Sequence, residues 1–464
     1  MRLLTLSSAL ALAAAATVLT GCAGFQTPTV SSSGPVTLLV PNGMKGSTYG
    51  GRQPINGATV SLYQTGTTGY GAGATLINTT TTNANGGFTI PAFSCTAGTQ
   101  LYVTSVGGDP YGNGENNTSA ILMAGLTSCS NVEGGAITFI SMNEVTTVAT
   151  AWALAPFMSS TNIGAPSTTQ TGLASAFADI STLVNLETGV SPGTGSPSGT
   201  GALPTGTTVP NAELNMLGDA LASCVNSING TQTNSTTPTS ASCSYLFSAA
   251  TPSGGSAPVD TVGTALNIAR NPGNNVSNVI IASGTGPAVP YQPIIAAAND
   301  LTVAILYTGN GSNGISSPSA VAVDASGNIW IANNPANPGT PSVTELNHLG
   351  APLSGSTGYT AGSLNAPSAI AIDGSGNAWI ANGGNNTLTE LSSSGTNVGS
   401  SPFSGGGLST PTSISFDGLG DIWLSNSGNN SASEFSSTGT AISGSGGYTA
   451  TGVSAPVGVA VNPH

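Results

Sequence analysis

The sequence predicts a multidomain, mainly β chain in which a small β-sandwich, an α-helical stretch and a row of repeated antiparallel blades follow one another. Three observations predict this. The run Ala58-Thr59-Val60-Ser61-Leu62-Tyr63 alternates with period two near the N-terminus. Apolar residues then recur at helical spacing, as in Val145, Val148, Ala149 and Trp152. In the last third one phrase returns four times, opening at Pro318, Pro367, Pro411 and Pro456.

The chain begins with Arg2 and an apolar stretch from Leu3 to Leu19 broken only by small residues, the pattern of a signal peptide over residues 1–21. The stretch is shorter than the ~20 residues of a membrane span. It ends in Leu19-Thr20-Gly21-Cys22, which resembles a lipobox; the resemblance implies cleavage before Cys22 and its lipidation, with residues 22–33 as a Ser/Thr/Pro-rich tether. Ala23-Gly24-Phe25 lacks the Asp of an inner-membrane retention signal. The expected address is therefore the outer membrane or cell surface, with the membrane as a partner through the lipid.

Composition fits an exported protein and excludes one class of partner. Four Lys and Arg stand against 17 Asp and Glu, for a formal charge of −13, and no base follows Arg270. Binding nucleic acid requires phosphate neutralisation, so no nucleic-acid partner is expected. Of five cysteines, Cys22 goes to lipid, leaving Cys95, Cys129, Cys224 and Cys243 in a compartment that permits disulfides. Three pairings exist on paper; proximity favours Cys95 with Cys129 and Cys224 with Cys243. A zinc site lacks both CxxC spacing and a neighbouring His, so no metal or other cofactor is expected.

In the first domain, Thr79 to Thr82, the turn Asn83-Ala84-Asn85-Gly86-Gly87 and Phe88-Thr89-Ile90 read as strand, tight turn, strand. Gln53-Pro54-Ile55-Asn56-Gly57-Ala58-Thr59-Val60, taken with that turn and Phe88, resembles the carboxypeptidase regulatory-like domains. The resemblance covers residues 34–108 and implies a transthyretin-like β-sandwich that acts as a spacer.

Residues 109–299 read as an α-helical domain. Ser141-Met142-Asn143-Glu144 looks like a capping box that starts a helix from Met142 to Met158. A second helix carries Leu173, Phe177, Ile180 and Val184 on one stripe and stops at Gly189. A third aligns Leu214, Leu217, Leu221, Cys224 and Ile228, and Asp260 to Ala269 is a fourth. The segment from about 190 to 209 is rich in Gly, Pro, Ser and Thr and reads as a loop.

From residue 300 to 464 each unit opens with a phrase such as Pro318-Ser319-Ala320-Val321-Ala322-Val323-Asp324. A Gly-Asn or Gly-Asp turn and a second strand follow, as in Gly376-Asn377-Ala378-Trp379-Ile380-Ala381-Asn382, and then a third strand such as Leu388-Thr389-Glu390-Leu391. A period of 40 to 50 residues with several strands per unit signals a β-propeller. The phrases resemble NHL repeats, and more closely the streptogramin-lyase-like (virginiamycin B lyase-like) propellers. The resemblance implies three blades plus flanking strands, Leu301 to Thr308 serving as an outer strand and Val457 to Asn462 as an inner one of a shared blade. Propellers of this type close with about six or seven blades. An open arc is expected here, either because the sequence stops short or because copies self-associate through open propeller edges.

Little in the sequence offers catalysis. The lyase resemblance implies histidines, a metal and an acid, but only His348 and His464 exist, and His348 reads as a solvated loop residue. Gly189-Val190-Ser191-Pro192-Gly193 matches a nucleophile elbow in letters, yet follows a helix rather than a strand. The Asp324, Asp373 and Asp417 loops read as hairpin turns whose Asp caps backbone N–H groups, and Trp330, Trp379 and Trp423 as packing between blades. Asn333, Asn382, Asn385, Asn386, Asn426, Asn429 and Asn430 gather on one rim and suit a neutral polar ligand, a glycan or a peptide. The sequence thus points to a cell-envelope lipoprotein acting as a non-enzymatic binding or scaffold module. The alternative is a lyase or hydrolase whose site lies on blades absent here; a purely structural envelope protein is a third reading.

Overall fold

The structure is a computed structural model that describes residues 35–192, 197–198, 201–203, 206–227, 243–284, 289–309, 314–336 and 339–461. Cys22, His464, Asn462 and much of the loop from 190 to 209 lie outside the described residues.

The alternating runs form strands as expected. β1 (Thr37–Val40), β2 (Met44–Gly50), β3 (Thr59–Gln64), β4 (Thr75–Thr81), β5 (Gly87–Ile90), β6 (Phe93–Thr96) and β7 (Gln100–Val106) are followed by β8 (Ile121–Ser128) and β9 (Phe139–Met142). One sheet has the order β4-β3-β7-β8; in another, β2 pairs antiparallel with β5 and parallel with β9. The boundary expected at residue 108 does not divide the molecule. β8 extends the first sheet beyond it, and one continuous apolar core runs from Val40 to Leu301. The reason is the open edge of β8, which helix α2 (Glu144–Leu154) covers. Met123 and Gly125 of β8 donate their N–H groups to the Thr147 and Thr150 hydroxyls of α2, each at 2.9 Å.

Three of the described helices begin at side-chain caps. For α2 the cap is Asn143, not Ser141: its side chain accepts from the Thr146 N–H and the Thr146 hydroxyl accepts from the Asn143 N–H. The helix ends at Leu154, short of Met158, because Pro156 tightens the chain there into a 3-10 turn, Ala155–Phe157. α1 (Cys129–Glu133) precedes α2, and α3 (Gln170–Leu183) stops before Gly189. Helices α4 (Asn211–Val225), α5 (Cys243–Ala249), α6 (Thr261–Arg270) and α7 (Val276–Ser283) complete the helical part, α6 capped by Asp260. Ile228, expected on the α4 stripe, lies outside the described residues. Both expected disulfides are present: Cys95–Cys129 joins β6 to α1, and Cys224–Cys243 joins α4 to α5.

Three antiparallel blades follow. Blade 1 is β10 (Pro318–Val323), β11 (Ile329–Asn333) and β12 (Ser342–Leu346). Blade 2 is β13 (Pro367–Ile372), β14 (Ala378–Asn382) and β15 (Thr387–Leu391). Blade 3 is β16 (Pro411–Phe416), β17 (Ile422–Asn426) and β18 (Ser431–Phe435). Two isolated bridging residues per blade, Pro352 and Tyr359, Asn397 and Phe403, or Ala441 and Tyr448, stand where a fourth strand would lie. Their apolar faces stack: Trp330 of blade 1 packs with Ile370 and Ile380 of blade 2, and Trp379 of blade 2 with Ile422 and Leu424 of blade 3.

Among the described residues the flanking segments do not make a shared blade. Only Leu306–Tyr307 of the first segment is strand, and it pairs with Thr207–Thr208, because apolar Val303, Ile305 and Tyr307 turn toward the helices. Residues 456–461 lie beside β16 without forming a ladder.

Candidate functional site

The seven rim asparagines are committed to the fold. Asn333, Asn382 and Asn426 end the second strand of each blade and are fully buried. The Asn382 amide donates to the hydroxyls of Thr387 and Thr389 at 3.2 and 2.9 Å and accepts from the Asn365 N–H at 3.1 Å; Asn333 and Asn426 repeat the pattern. Asn385 and Asn429 lie on the surface and donate to the Ser363 and Gly407 carbonyls. Asn386 and Asn430 adopt left-handed backbone, at φ 57° and 59°, and accept the N–H of Thr410 and of Ala455 from the unit beyond, each at 2.7 Å. Asn333, Asn382 and Asn426 thus act as strand ties and Asn386 and Asn430 as clamps between units, since an amide offers both donors and an acceptor, while Asn385, Asn386, Asn429 and Asn430 stay exposed.

The Asp turns behave likewise. In blade 1, Asp324 Oδ1 accepts the N–H groups of Ser326 and Asn328, and Oδ2 accepts the Trp330 indole N–H at 3.1 Å. Asp373 with Trp379 and Asp417 with Trp423 repeat this. Each tryptophan is thereby locked against Tyr359, Phe403 or Tyr448, with ring centroids 5.6–5.7 Å apart. One position differs among blades. Asn328 and Asn377 donate to Glu345 and Glu390, whereas blade 3 has Asp421 there, so that Asp417, Asp421 and Glu434 converge with oxygens within 4.8 Å of one another.

A cleft of about 620 Å³ opens between the helices and the first blade. α3 presents Thr171, Ser175, Asp179 and Leu183 along one stripe at intervals of four; Trp152 closes the end of α2. Val303, Ile305 and Tyr307 line the wall with period two, and Val323, Asp324, Gly327 and Ile329 form the blade side. His348 completes the cleft; it is partly buried rather than solvated, because the Tyr307 hydroxyl donates to its carbonyl at 3.0 Å and holds that loop inward. Two glycines permit the approach. A Cβ on Gly327 would meet Ser175 Oγ at 2.6 Å, and one on Gly350, at φ 82°, would run into the Tyr307 ring.

The cleft is mostly apolar with a few titratable groups. Burial pushes the Asp179 carboxyl up to about 6; burial and then the Asp179 charge push Tyr307 up to about 12. Burial lowers His348. Sequence reasoning missed this site because its walls come from segments more than a hundred residues apart. The stripe 171, 175, 179, 183 was the available signal.

A second titratable cluster lies among the helices. Glu144, fully buried at the first position of α2, accepts the Gly51 N–H at 3.0 Å and the Tyr291 hydroxyl at 2.6 Å. Asp219 of α4 accepts the Tyr291 N–H at 3.0 Å through Oδ1, while its buried Oδ2 has no hydrogen-bond partner among the described residues.

No protein-family profile matches the chain, and no curated protein matches it. Among solved structures it is similar to a streptogramin B lyase, at 19% identity over 28% of this chain and 40% of that one, with a TM-score of 0.22. It is similar to virginiamycin B lyase from Staphylococcus aureus, at 19% identity over 27% of this chain and 40% of that one, TM-score 0.21. It is also similar to a putative gluconolactonase, at 19% identity over 28% of this chain and 47% of that one, TM-score 0.22. The chain thus spans less than half the length of these propeller proteins. Two disulfides place the fold in an oxidising, extracytoplasmic compartment. Among the described residues no helix is long and apolar enough to cross a membrane.

Proposed function

We propose that the chain is an exported lipoprotein, anchored through Cys22 in the outer membrane or at the cell surface, that binds a ligand without transforming it. Its binding site is the cleft between α3 and blade 1. The observation that supports this is the cleft's lining: an apolar wall of Trp152, Leu183, Val303, Ile305 and Ile329 with Asp179 and His348 at hand, in a volume suited to a small molecule or a few residues of a peptide. Such a lining favours an apolar peptide segment carrying a cationic or hydrogen-bond-donating group over a glycan, because sugars need more polar partners than this wall offers. The rim asparagines are engaged elsewhere and are not part of the site.

The test is a peptide array followed by titration of the binders, read by tryptophan fluorescence and calorimetry. Trp152→Ala and Asp179→Asn should each weaken binding tenfold or more, whereas Asn385→Ala should leave it unchanged. Binding that survives both cleft variants would refute the site. The anchor is tested separately: Cys22→Ser should move the protein from the membrane fraction to the soluble fraction, and continued sedimentation with membranes would rule the anchor out.

A further inference from the structure

A second cavity, of about 300 Å³, lies on a different face of α3 from the cleft and is more enclosed than it. Its floor is Leu126 of β8, Phe177 of α3, Val184 just past the end of that helix, and Leu186, each no more than 6% exposed; Ile137 and Leu349 close its sides. Phe177, Ser181 and Val184 recur at helical spacing on a different stripe from Thr171, Ser175 and Asp179, so one helix walls both spaces. Apolar side chains that are withdrawn from water yet border a void lack packing partners on that side, and a ligand supplies them.

The mouth of this cavity is polar and carries one sign of charge. Glu187 is exposed there; its Oε1 accepts the Thr138 hydroxyl at 3.3 Å, and among the described residues no base is bonded to it. No Lys or Arg is among the lining residues. The His348 ring, which also borders the cleft, makes no hydrogen bond among the described residues, and because burial lowers its pKa it is an uncharged donor and acceptor at neutral pH. The remaining polar groups are already bonded within the protein: Asn131 donates to Thr127 Oγ1 at 3.0 Å and Ser181 to the Ala178 carbonyl at 2.7 Å.

We infer that this cavity binds a small primary amine with an aromatic or branched aliphatic body, the body on the apolar floor and the ammonium group at Glu187. Charge complementarity selects the amine. A carboxylate would face Glu187 with no base to balance it, and a sugar would lose hydrogen bonds to water that the Leu, Phe and Val floor does not replace. Glu187 stays in contact with solvent, so its pairing with an ammonium group buries no isolated charge. The volume lies at the lower end of small-molecule sites and admits one ring or a short branched chain rather than a length of peptide. The site stands independently of the cleft reading: apart from His348 the two spaces share no lining residue.

The experiment uses the full chain carrying Cys22→Ser without detergent, which would itself fill the cavity, and follows binding by ligand-observed NMR titration. The probes are phenethylamine, phenethyl alcohol and hydrocinnamate, which share a ring and a short arm and differ in charge. Phenethylamine should bind with a Kd of about 1 mM or tighter, the alcohol about fivefold more weakly, and hydrocinnamate more weakly still. Glu187→Gln should bring the amine to the affinity of the alcohol and leave the alcohol where it was. Ala178→Leu, which fills the cavity from α3, should abolish binding of both; its melting temperature confirms folding, and Ser181→Leu replaces it should it misfold. Asp179→Asn distinguishes this cavity from the cleft. No saturation transfer from phenethylamine, alcohol or hydrocinnamate binding as tightly as the amine, a folded Ala178→Leu chain that binds as the unfilled one does, or amine binding lost in Asp179→Asn and kept in Glu187→Gln would each overturn the inference.

Discussion

Stability should fall as pH rises from 5.5 to 7.5, and Asp219 should be the main cause. Its carboxyl is buried, with Oδ2 unpartnered, beside Glu144, which is also buried. Burial is the largest influence, the Glu144 charge adds to it, and the Tyr291 N–H and Arg52 act in the opposite direction; the net is a pKa raised to about 8. Glu144 is raised to about 7 by burial, against the hydrogen bonds it accepts from Tyr291 and Gly51. Both folded values exceed the unfolded ones, so the stabilisation is complete below the ordinary carboxylate range and is lost as pH climbs through 7 to 8. In the unfolded chain Asp219 has lost its proton by about pH 5 while the fold still holds it, giving a slope of about 1.4 kcal/mol per pH unit. Over two units that is ~2.5 kcal/mol from Asp219, with Glu144 adding to the lower half. Asp219→Asn keeps the acceptor for the Tyr291 N–H and removes the titration. Urea unfolding at half-unit pH steps should show the wild-type slope and a variant flatter by about 1.4 kcal/mol per unit. Equal slopes in the two proteins would refute the reasoning.

Asn382→Ala should cost about 2–4 kcal/mol in denaturant unfolding, because it strips a partner from the half-buried Thr387 hydroxyl, the buried Thr389 hydroxyl and the Asn365 N–H, and it should not alter ligand affinity. Breaking Cys95–Cys129 by Cys95→Ser with Cys129→Ser should cost about 3–4 kcal/mol, given the 34-residue separation it closes; unfolding of the double variant with and without reductant checks it. Asp421→Asn should raise the thermal midpoint by about 1–3 °C, since it gives blade 3 the donor that blades 1 and 2 hold against their Glu, and the gain should shrink at high salt.

The blades were legible because a repeat displays its strands, turns and packing residues several times over, and Trp330 and Trp379 pack as their recurrence implies. The two disulfides followed from separation along the chain. The strand ties made by Asn333, Asn382 and Asn426 were not legible, because a strand-ending Asn can bridge two neighbouring strands with one amide and that role leaves no mark in the one-dimensional pattern. The cleft and the Glu144–Asp219 cluster were hidden because side chains from distant segments make them. The boundary at residue 108 was misplaced because composition changes there while the first sheet and its core continue through β8.

Asn386 and Asn430 carry one more consequence. Each is a surface tie from its blade to the unit beyond, and the Ser and Thr hydroxyls of the inner strands add at least one further tie per junction. Cohesion along the array therefore resides in terms between nearest neighbours, as in a one-dimensional cooperative lattice. Asn386→Gly, which preserves the backbone but severs one link, should let blade 3 melt as a separate unit while blades 1 and 2 stay folded.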